Sequence, residues 1–315
     1  LITLIFISMP GVLSDVLAWV VIVAFAAGTL LRGRNDRVGR IVTVAAWGGF
    51  ALFWLQLVPH FAFIHKSYVE GILSIAAVPA SLYTGLLLWR GRSSLFVLSR
   101  AVAAMGLIYL PFETIPAIMA FGISLPAPRG VLMEIVAAQT GMLVSAFGYE
   151  PAMIVGNQGY LNTFQFFDGN HELTVSVVLA CTGLGSISIF AGLIAAVEAP
   201  LKRKLKAMAV AVPIIYGLNI LRTTFITIAF GKQYMQWFVQ EILFLFGSSD
   251  PYMVSFFISD RIISQLLAVV VLVGITYLVV RELPELLTVI EDVLYMITGD
   301  EYNLARELGF QRESV

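Results

Sequence analysis

The sequence predicts an all-α polytopic membrane protein of about seven to eight transmembrane helices, with a small extracellular loop region in which a β-hairpin is read. Three observations predict it. Hydrophobic residues make up 59% of the 315 and charged residues only 12%, with a mean hydropathy of +0.90, whereas a soluble domain carries about 25% charged residues. Seven apolar runs have the length needed to cross about 30 Å of hydrocarbon. The loops between them alternate between basic ones and ones poor in Lys and Arg.

The seven expected crossings are Val12–Leu31, Ile41–Val58, Ile72–Trp89, Leu95–Ile115, Val177–Val197, Met208–Phe230 and Met253–Val280. The start of the chain lacks a basic n-region and a small-residue cleavage site, so no cleavable signal peptide is read there. Arg32, Arg34, Arg37 and Arg40 fill the first loop, Arg90 and Arg92 the third, Lys202, Arg203, Lys204 and Lys206 the fifth, and Arg281 follows the last crossing. The positive-inside rule makes these loops cytoplasmic, with the N-terminus outside and the C-terminus inside. Gly130–Phe147 is apolar enough to be a span, but a crossing there would put the Lys202–Lys206 loop outside. It is read as a helix lying on or dipping into the outer interface.

The excursion 116–173 is extracellular in this scheme. Within it, Gly156-Asn157-Gln158-Gly159 separates two β-forming runs, Ala152–Val155 and Tyr160–Phe167, which reads as a hairpin or short sheet. Asp250-Pro251 signals a helix start, with Asp250 as N-cap and proline at the first helical position. Residues 1–281 form the integral-membrane domain. In the tail, 282–315, Leu286, Val289, Ile290, Val293 and Leu294 recur at helical spacing, which reads as an amphipathic cytoplasmic segment.

A net charge of −1 argues against a nucleic-acid partner. One cysteine excludes an intrachain disulfide, and three scattered histidines lack zinc-ligand spacing, so no metal or cofactor is expected. A lone cysteine in a membrane protein is usually a small packing residue, and Cys181 has to be weighed against that. Charges inside spans cost about 2.5–3.5 kcal/mol each on insertion scales, which singles out Arg222, Asp260 and Arg261. Arg100 sits one turn inside its span and can snorkel.

Depth links these residues. Read as continuous helix at 1.5 Å per residue, Cys181 lies about 31 Å from Lys202, Arg222 about 24 Å from Lys206, and Arg261 about 30 Å from Arg281. Three residues on three consecutive crossings thus fall near the outer boundary. Two guanidiniums beside a thiol favour the thiolate nucleophile and offer fixed paired donors to an oxyanion or carboxylate. Asp260 can orient either arginine. Gly183 leaves room for a substrate backbone or a packed helix. His171, ten residues before Cys181, is a candidate base, and His60 and His65 lie in another outer loop.

Val178-Leu-Ala-Cys181-Thr182-Gly183 resembles the Ala-Cys-Ser/Thr-Gly signature of the exosortase/archaeosortase family. Asn219-Ile-Leu-Arg222 is similar to its second signature, and Ser259-Asp260-Arg261 to its third, with arginine where exosortases carry histidine, as in archaeosortases. Spacings of 41 and 39 residues between the three sites fit that family. The resemblance implies a membrane cysteine protease-transpeptidase acting on surface proteins such as S-layer glycoproteins. Their tails carry a Pro-Gly-Phe motif, a transmembrane helix and basic residues, and the new C-terminus is joined to a membrane lipid. It implies an acyl-thioester on Cys181, proton donation by Arg222 and transition-state stabilisation by Arg261, with Asn219, Asp260, Thr182 and Gly183 in support. The partners implied are the substrate's transmembrane tail and an acceptor lipid at the cell membrane. Since guanidinium stays protonated, thiolate pairing and leaving-group hydrogen bonding suit Arg222 better. Two other readings remain: a transporter or receptor that holds an anion on Arg222 and Arg261, and an intramembrane peptidase that only hydrolyses.

Overall fold

Inside a bilayer a chain must satisfy its own backbone, so long apolar runs fold as helices. A computed structural model describes residues 10–59, 68–120 and 123–309. Six of its helices are long and apolar enough to cross a membrane: α1 (Pro10–Arg32), α2 (Asp36–Pro59), α3 (Tyr68–Trp89), α4 (Leu95–Thr114), α7 (Leu201–Gly231) and α9 (Met253–Glu282). Helices α2 and α7 begin five and seven residues before the expected spans, because their basic first turns (Asp36–Arg40, Leu201–Ala207) contain good helix formers whose charges stay at the rim.

The remaining expected span, Val177–Val197, is broken. Leu179–Thr182 is a 3₁₀ turn, Gly183 adopts φ 77°, and only α6 (Leu184–Ala196), with 13 residues, is α-helical. Gly183 ends the turn because it enters the left-handed region without a Cβ clash. The 130–147 stretch folds as α5 (Pro128–Ala146), started by Pro128 at the first helical position, and is not among the six. His60 and His65 lie outside the described residues.

The chain divides into two units. The first contains α1 to α4, the Ser188–Met208 stretch and the tail. Phe25, Trp47, Leu88, Leu95 and Phe96 form its core, with Phe25 edge-on to Trp47 at 5.0 Å. Trp47 Nε1 donates to Ser99 Oγ at 3.0 Å, so the indole is buried without losing a hydrogen bond. Helices α1 and α2 touch at Gly28, where any Cβ would lie 2.3 Å from Thr43 Oγ1. That is the close backbone approach that small residues allow in membrane packing.

The tail is held in this unit rather than left bare. Helix α10 (Leu287–Thr298) lays Tyr295 and Met296 on the core. Arg92 donates to Asp292 at 2.8 Å and to Glu301 at 2.7 Å, and its guanidinium stacks 4 Å or less (3.7 Å) over Tyr295. Ser94 Oγ also donates to Asp292, and Arg203 grips the Glu285 carboxylate and the Glu282 carbonyl. A last short helix, α11 (Leu304–Glu307), ends the described tail.

The second unit, residues 115–187 and 209–279, carries the polar excursion. Strands β1 (Ile118–Ala120) and β2 (Ile123–Leu125) pair antiparallel ahead of α5. Strands β3 (Ala152–Val155), β4 (Leu161–Asp168) and β5 (His171–Ser176) then form a three-stranded antiparallel meander. The expected hairpin is its β3–β4 half. The β4–β5 half turns at Gly169-Asn170, with Gly169 at φ 59° and Asp168 opposite His171. Phe164, Phe166 and Leu173 bury against Val136 and Ala137 of α5 and Ile220 and Phe230 of α7. A short helix α8 (Val239–Phe246) precedes α9. Asp250 takes the Tyr252 N–H on its carboxylate at 3.0 Å, and α9 begins at Met253, two residues beyond Pro251.

The tail clamp separates a strong contact from a weak one. Asp292 is 2% exposed, so Arg92→Ala strands a buried carboxylate and should cost roughly 3–5 kcal/mol. Glu301 is exposed, so Glu301→Ala should cost less than about 1 kcal/mol. Thermal unfolding in detergent should rank them in that order. The Arg92 hydrogen bond lowers the Glu301 pKa. Its contribution is therefore complete above the unfolded value of about 4.3 and is lost as pH falls through the lowered folded value. Hydrogen-exchange protection in 299–307, taken relative to the intrinsic rate at each pH, should stay flat from about pH 8 to 5 and fall only below about pH 4.

Candidate active site

The sheet delivers Cys181. At the end of β5, the Val177 N–H donates to the Asn162 carbonyl at 2.8 Å, and Asn162 Nδ2 donates to the Val177 carbonyl at 2.7 Å. This two-way bond fixes the exit of the strand. The 3₁₀ turn follows, closed by the Cys181 N–H to the Val178 carbonyl at 2.8 Å. Thr182 is buried. Its hydroxyl donates to the Leu179 carbonyl at 2.7 Å and accepts from the Leu184 N–H at 3.4 Å, tying the turn to the first turn of α6.

Helix α7 locks this turn from the side. Asn219 Nδ2 donates to the Cys181 carbonyl at 2.6 Å, and Thr223 Oγ1 donates to the same oxygen at 3.3 Å and to its own Asn219 carbonyl at 2.9 Å. Residues 219 and 223 are one helical turn apart and share a face. A Cβ on Gly183 would come within 3.2 Å of the Asn219 side chain. Glycine is required there twice over, by its positive φ and by this contact.

The same face of α7 presents Arg222. Its Nη2 donates to Asp260 Oδ1 at 2.5 Å, while Arg261 Nε lies 3.5 Å from Asp260 Oδ2. Asp260 and Arg261 sit in a π-helical stretch, Phe257–Ser264, inside α9. Such wide turns recur at functional sites. Two guanidiniums on one carboxylate leave a formal charge of +1. The Asp260 and Arg261 side chains are largely buried, and Arg222 is about a third exposed. Met253 and Phe256, the turns leading into that stretch, pack in the same apolar cluster as Cys181, Tyr216 and Ile220. Burial of the Cys181 thiol opposes its ionisation, the charges of Arg222 and Arg261 favour it, and that of Asp260 opposes it.

Cys181, Thr182, Gly183, Asn219, Arg222, Asp260 and Arg261 are therefore brought together in one unit. His171 makes no hydrogen bond to this group: it is exposed at the start of β5, with its ring stacked 3.9 Å from that of Tyr252, which packs against the same apolar cluster as Cys181. Among the described residues no group of three or more His, Cys, Asp or Glu could hold a metal ion. Thr223, Asn162 and the π-helical turn escape the sequence reading. Thr223 was findable, four residues after Asn219 on one helix face, whereas nothing in the local sequence marks the π turn. From Leu221 back to Pro213 on α7, an open apolar groove of about 750 Å³ runs between α5 and α7 past Leu143 and Gly217, with the Tyr216–Gln139 hydrogen bond in its lining.

The two bonds to the Cys181 carbonyl differ in strength. Asn219→Ala should destabilise the protein by about 1–3 kcal/mol and Thr223→Val by about 0.5–1.5 kcal/mol. Gly183→Ala adds a left-handed residue, at about 1–2 kcal/mol, to a steric contact. Unfolding midpoints in detergent check the order, and equal midpoints for the Asn219 and Thr223 variants would contradict it.

Comparison with known proteins gives the family. Residues 13–257 match the family model described as Transmembrane exosortase. The chain is 72% identical over 301 residues to archaeosortase A of Haloferax volcanii, covering 96% of this chain and 99% of the relative. It is 44% identical over 295 residues to archaeosortase A of Natronomonas pharaonis, covering 91% and 90%. No solved structure matches it. With the family model spanning most of the chain and two archaeosortase A relatives aligned almost end to end, the chain belongs to the transmembrane exosortase family, as a multi-pass membrane enzyme that processes sorting signals.

Proposed function

We propose that the chain is a cysteine protease-transpeptidase that cuts the C-terminal signal of surface proteins and passes the new C-terminus to a membrane lipid through a Cys181 thioester. The observation that carries this reading is that the face of α7 holding the Cys181 carbonyl through Asn219 and Thr223 also presents Arg222, which pairs with Asp260 beside Arg261. A packing cysteine needs no guanidinium, and a lone guanidinium pair inside a membrane protein is costly unless it has work to do.

The chemistry follows from what each group can do. The Cys181 thiolate attacks the scissile carbonyl, and the oxygen of the tetrahedral intermediate carries the developing charge. Arg261, fixed by its own backbone turn and by Asp260, is the donor for that oxyanion. Arg222, the more exposed of the two, pairs with the thiolate and hydrogen-bonds the departing amine. Loss of the amine leaves the thioester. A lipid headgroup nucleophile then attacks the thioester, and exclusion of water favours transfer over hydrolysis. The apolar groove along α7, lined from Pro213 to Leu221, offers room for the apolar segment of such a signal.

The substrate class is surface proteins whose tail carries a Pro-Gly-Phe motif, a transmembrane helix and basic residues. S-layer glycoproteins would be typical clients. The basic loops support an α7 start on the cytoplasmic side and a cysteine cluster near the outer face of the cell membrane. An anion transporter or receptor is less well supported, since it gives no part to the Cys181 turn that Asn219 and Thr223 hold on the helix carrying Arg222.

Processing of a tailed surface protein should stop in Cys181→Ala and in Cys181→Ser while the enzyme is still made and inserted. Mass and lipid content of the client give the readout, and normal processing in Cys181→Ala would end the nucleophile assignment. Arg261→Lys keeps the charge but loses the guanidinium fork, and should lose about 100-fold or more in rate. A membrane-impermeant thiol reagent should label Cys181 from outside intact cells. Labelling only from the cytoplasmic side would reverse the orientation.

A further inference from the structure

We infer that α8 and the loop leading into it form an interfacial membrane anchor, with Trp237, Phe238 and Phe244 seated in the lipid headgroup layer at the start of α9. The inference needs only that the chain spans a membrane, and it does not depend on the cysteine chemistry proposed above.

Residues 232–252 leave one long apolar helix, α7, and enter another, α9. This connection carries few charges: Lys232, Glu241 and Asp250. Helix α8 turns one face inward. Its Ile242 and Leu243 are buried against Val254 and Ile258 of α9, and Phe257, Ile262 and Ile263 close the same cluster. Most of these partners belong to the π-helical stretch Phe257–Ser264, so α8 lies on the turn that carries Asp260 and Arg261.

The rest of the segment is apolar too, and bare. Phe244 is 89% exposed, and Phe238 and Trp237, just before the helix, are 75% and 54% exposed. Phe238 takes the left-handed conformation, φ 50° and ψ 46°, as the residue ahead of the helix. Bulky side chains seldom adopt it. Three large rings open between positions 237 and 244 make a patch, which scattered single exposures do not.

Depth says what covers this patch. Helix α9 has 30 residues, which gives about 45 Å of helix. The hydrocarbon is about 30 Å thick, and about 40–45 Å with its headgroup layers. The first turns of α9 therefore lie in a headgroup layer. Helix α8 covers α9 as far as Ile262 and Ile263. Leu266, one turn beyond Ile262, is 66% exposed, and Leu267, Val269 and Val270 are bare as well. In a span that is apolar all round, such a surface meets lipid chains. The surface beneath α8 thus runs straight into the lipid-facing surface, and α8 sits at its edge. Aromatic side chains collect at that level, and an interfacial helix buries its apolar face there by about 5–10 Å. The turn of Asp260 and Arg261 is then separated from the headgroup layer by one helix.

The test uses the full-length chain in lipid nanodiscs holding one copy each. Cys181→Ala removes the one cysteine. Trp237→Cys or Phe244→Cys then supplies a single site for a nitrobenzoxadiazole label. Both positions are more than half exposed, so the label displaces no packed neighbour. Gln158→Cys, in the exposed β3–β4 turn, and Leu266→Cys, on the bare face of α9, are the water and lipid-chain references. Quenching is read with iodide in the buffer, with a nitroxide on the lipid headgroup, and with a nitroxide deep in the lipid chain. Labels at 237 and 244 should be quenched by the headgroup nitroxide at least about threefold more than by iodide, and more than by the deep nitroxide. The label at 266 should answer most to the deep nitroxide. Iodide quenching at 237 and 244 as strong as at 158 puts the rings in water and overturns the inference. Iodide quenching at 266 overturns it too, by removing the lipid edge. Shielding of 237 and 244 from all three quenchers also overturns it, since protein then covers the patch. Headgroup quenching at 237 and 244 that disappears in nanodiscs holding two copies assigns the face to a second copy of the chain and overturns the lipid assignment.

Discussion

Asp260 is the constraint on which the site depends. Two arginines on neighbouring membrane helices repel each other and resist leaving water. A carboxylate between them offsets both costs, leaving a single net positive charge where two would stand. The bridge also joins α7 to the π-helical turn of α9, so the residues that set the field at Cys181 are fixed relative to each other. Removing Asp260 leaves two guanidiniums with unmatched charge, which is the expensive outcome in a poorly solvated setting. The cluster is better understood as one electrostatic unit than as three separate functional residues.

The nucleophile is placed by a different kind of force. No charge holds Cys181. Backbone bonds and small contacts do: the Asn162–Val177 pair ends the strand, the Thr182 hydroxyl knits the turn, and Asn219 with Thr223 holds the carbonyl. Holding the carbonyl rather than the thiol leaves sulfur free for chemistry. The β-meander follows from the same need, since a strand gives the turn a fixed starting point that a loop could not.

Much of this was legible in the sequence, for definite reasons. Lipid-crossing helices announce themselves because the bilayer permits few alternatives, and all six long helices coincide with expected runs. Cys181, Arg222, Asp260 and Arg261 stood out because charges and a lone thiol are rare in such runs. The failures are equally physical. Val177–Val197 was apolar enough to pass for one helix, and hydropathy is blind to the left-handed φ of Gly183 that breaks it. The third strand was missed although Gly169-Asn170 and the alternation of Leu173 and Val175 mark it, because a six-residue strand is a weak signal beside a long span. His171, singled out by proximity in sequence, sits on β5 with its ring against Tyr252.

The shortness of α6 has a consequence for the membrane itself. Thirteen residues make a helix of about 20 Å, against a hydrocarbon slab of about 30 Å. A shortfall of that size is met by local thinning of the bilayer or by headgroups and water drawn inward. The Cys181 turn lies at the start of this short helix, so in a bilayer that α6 has to cross, lipid chain length as well as the protein fold would set how far water and headgroups reach toward the thiol.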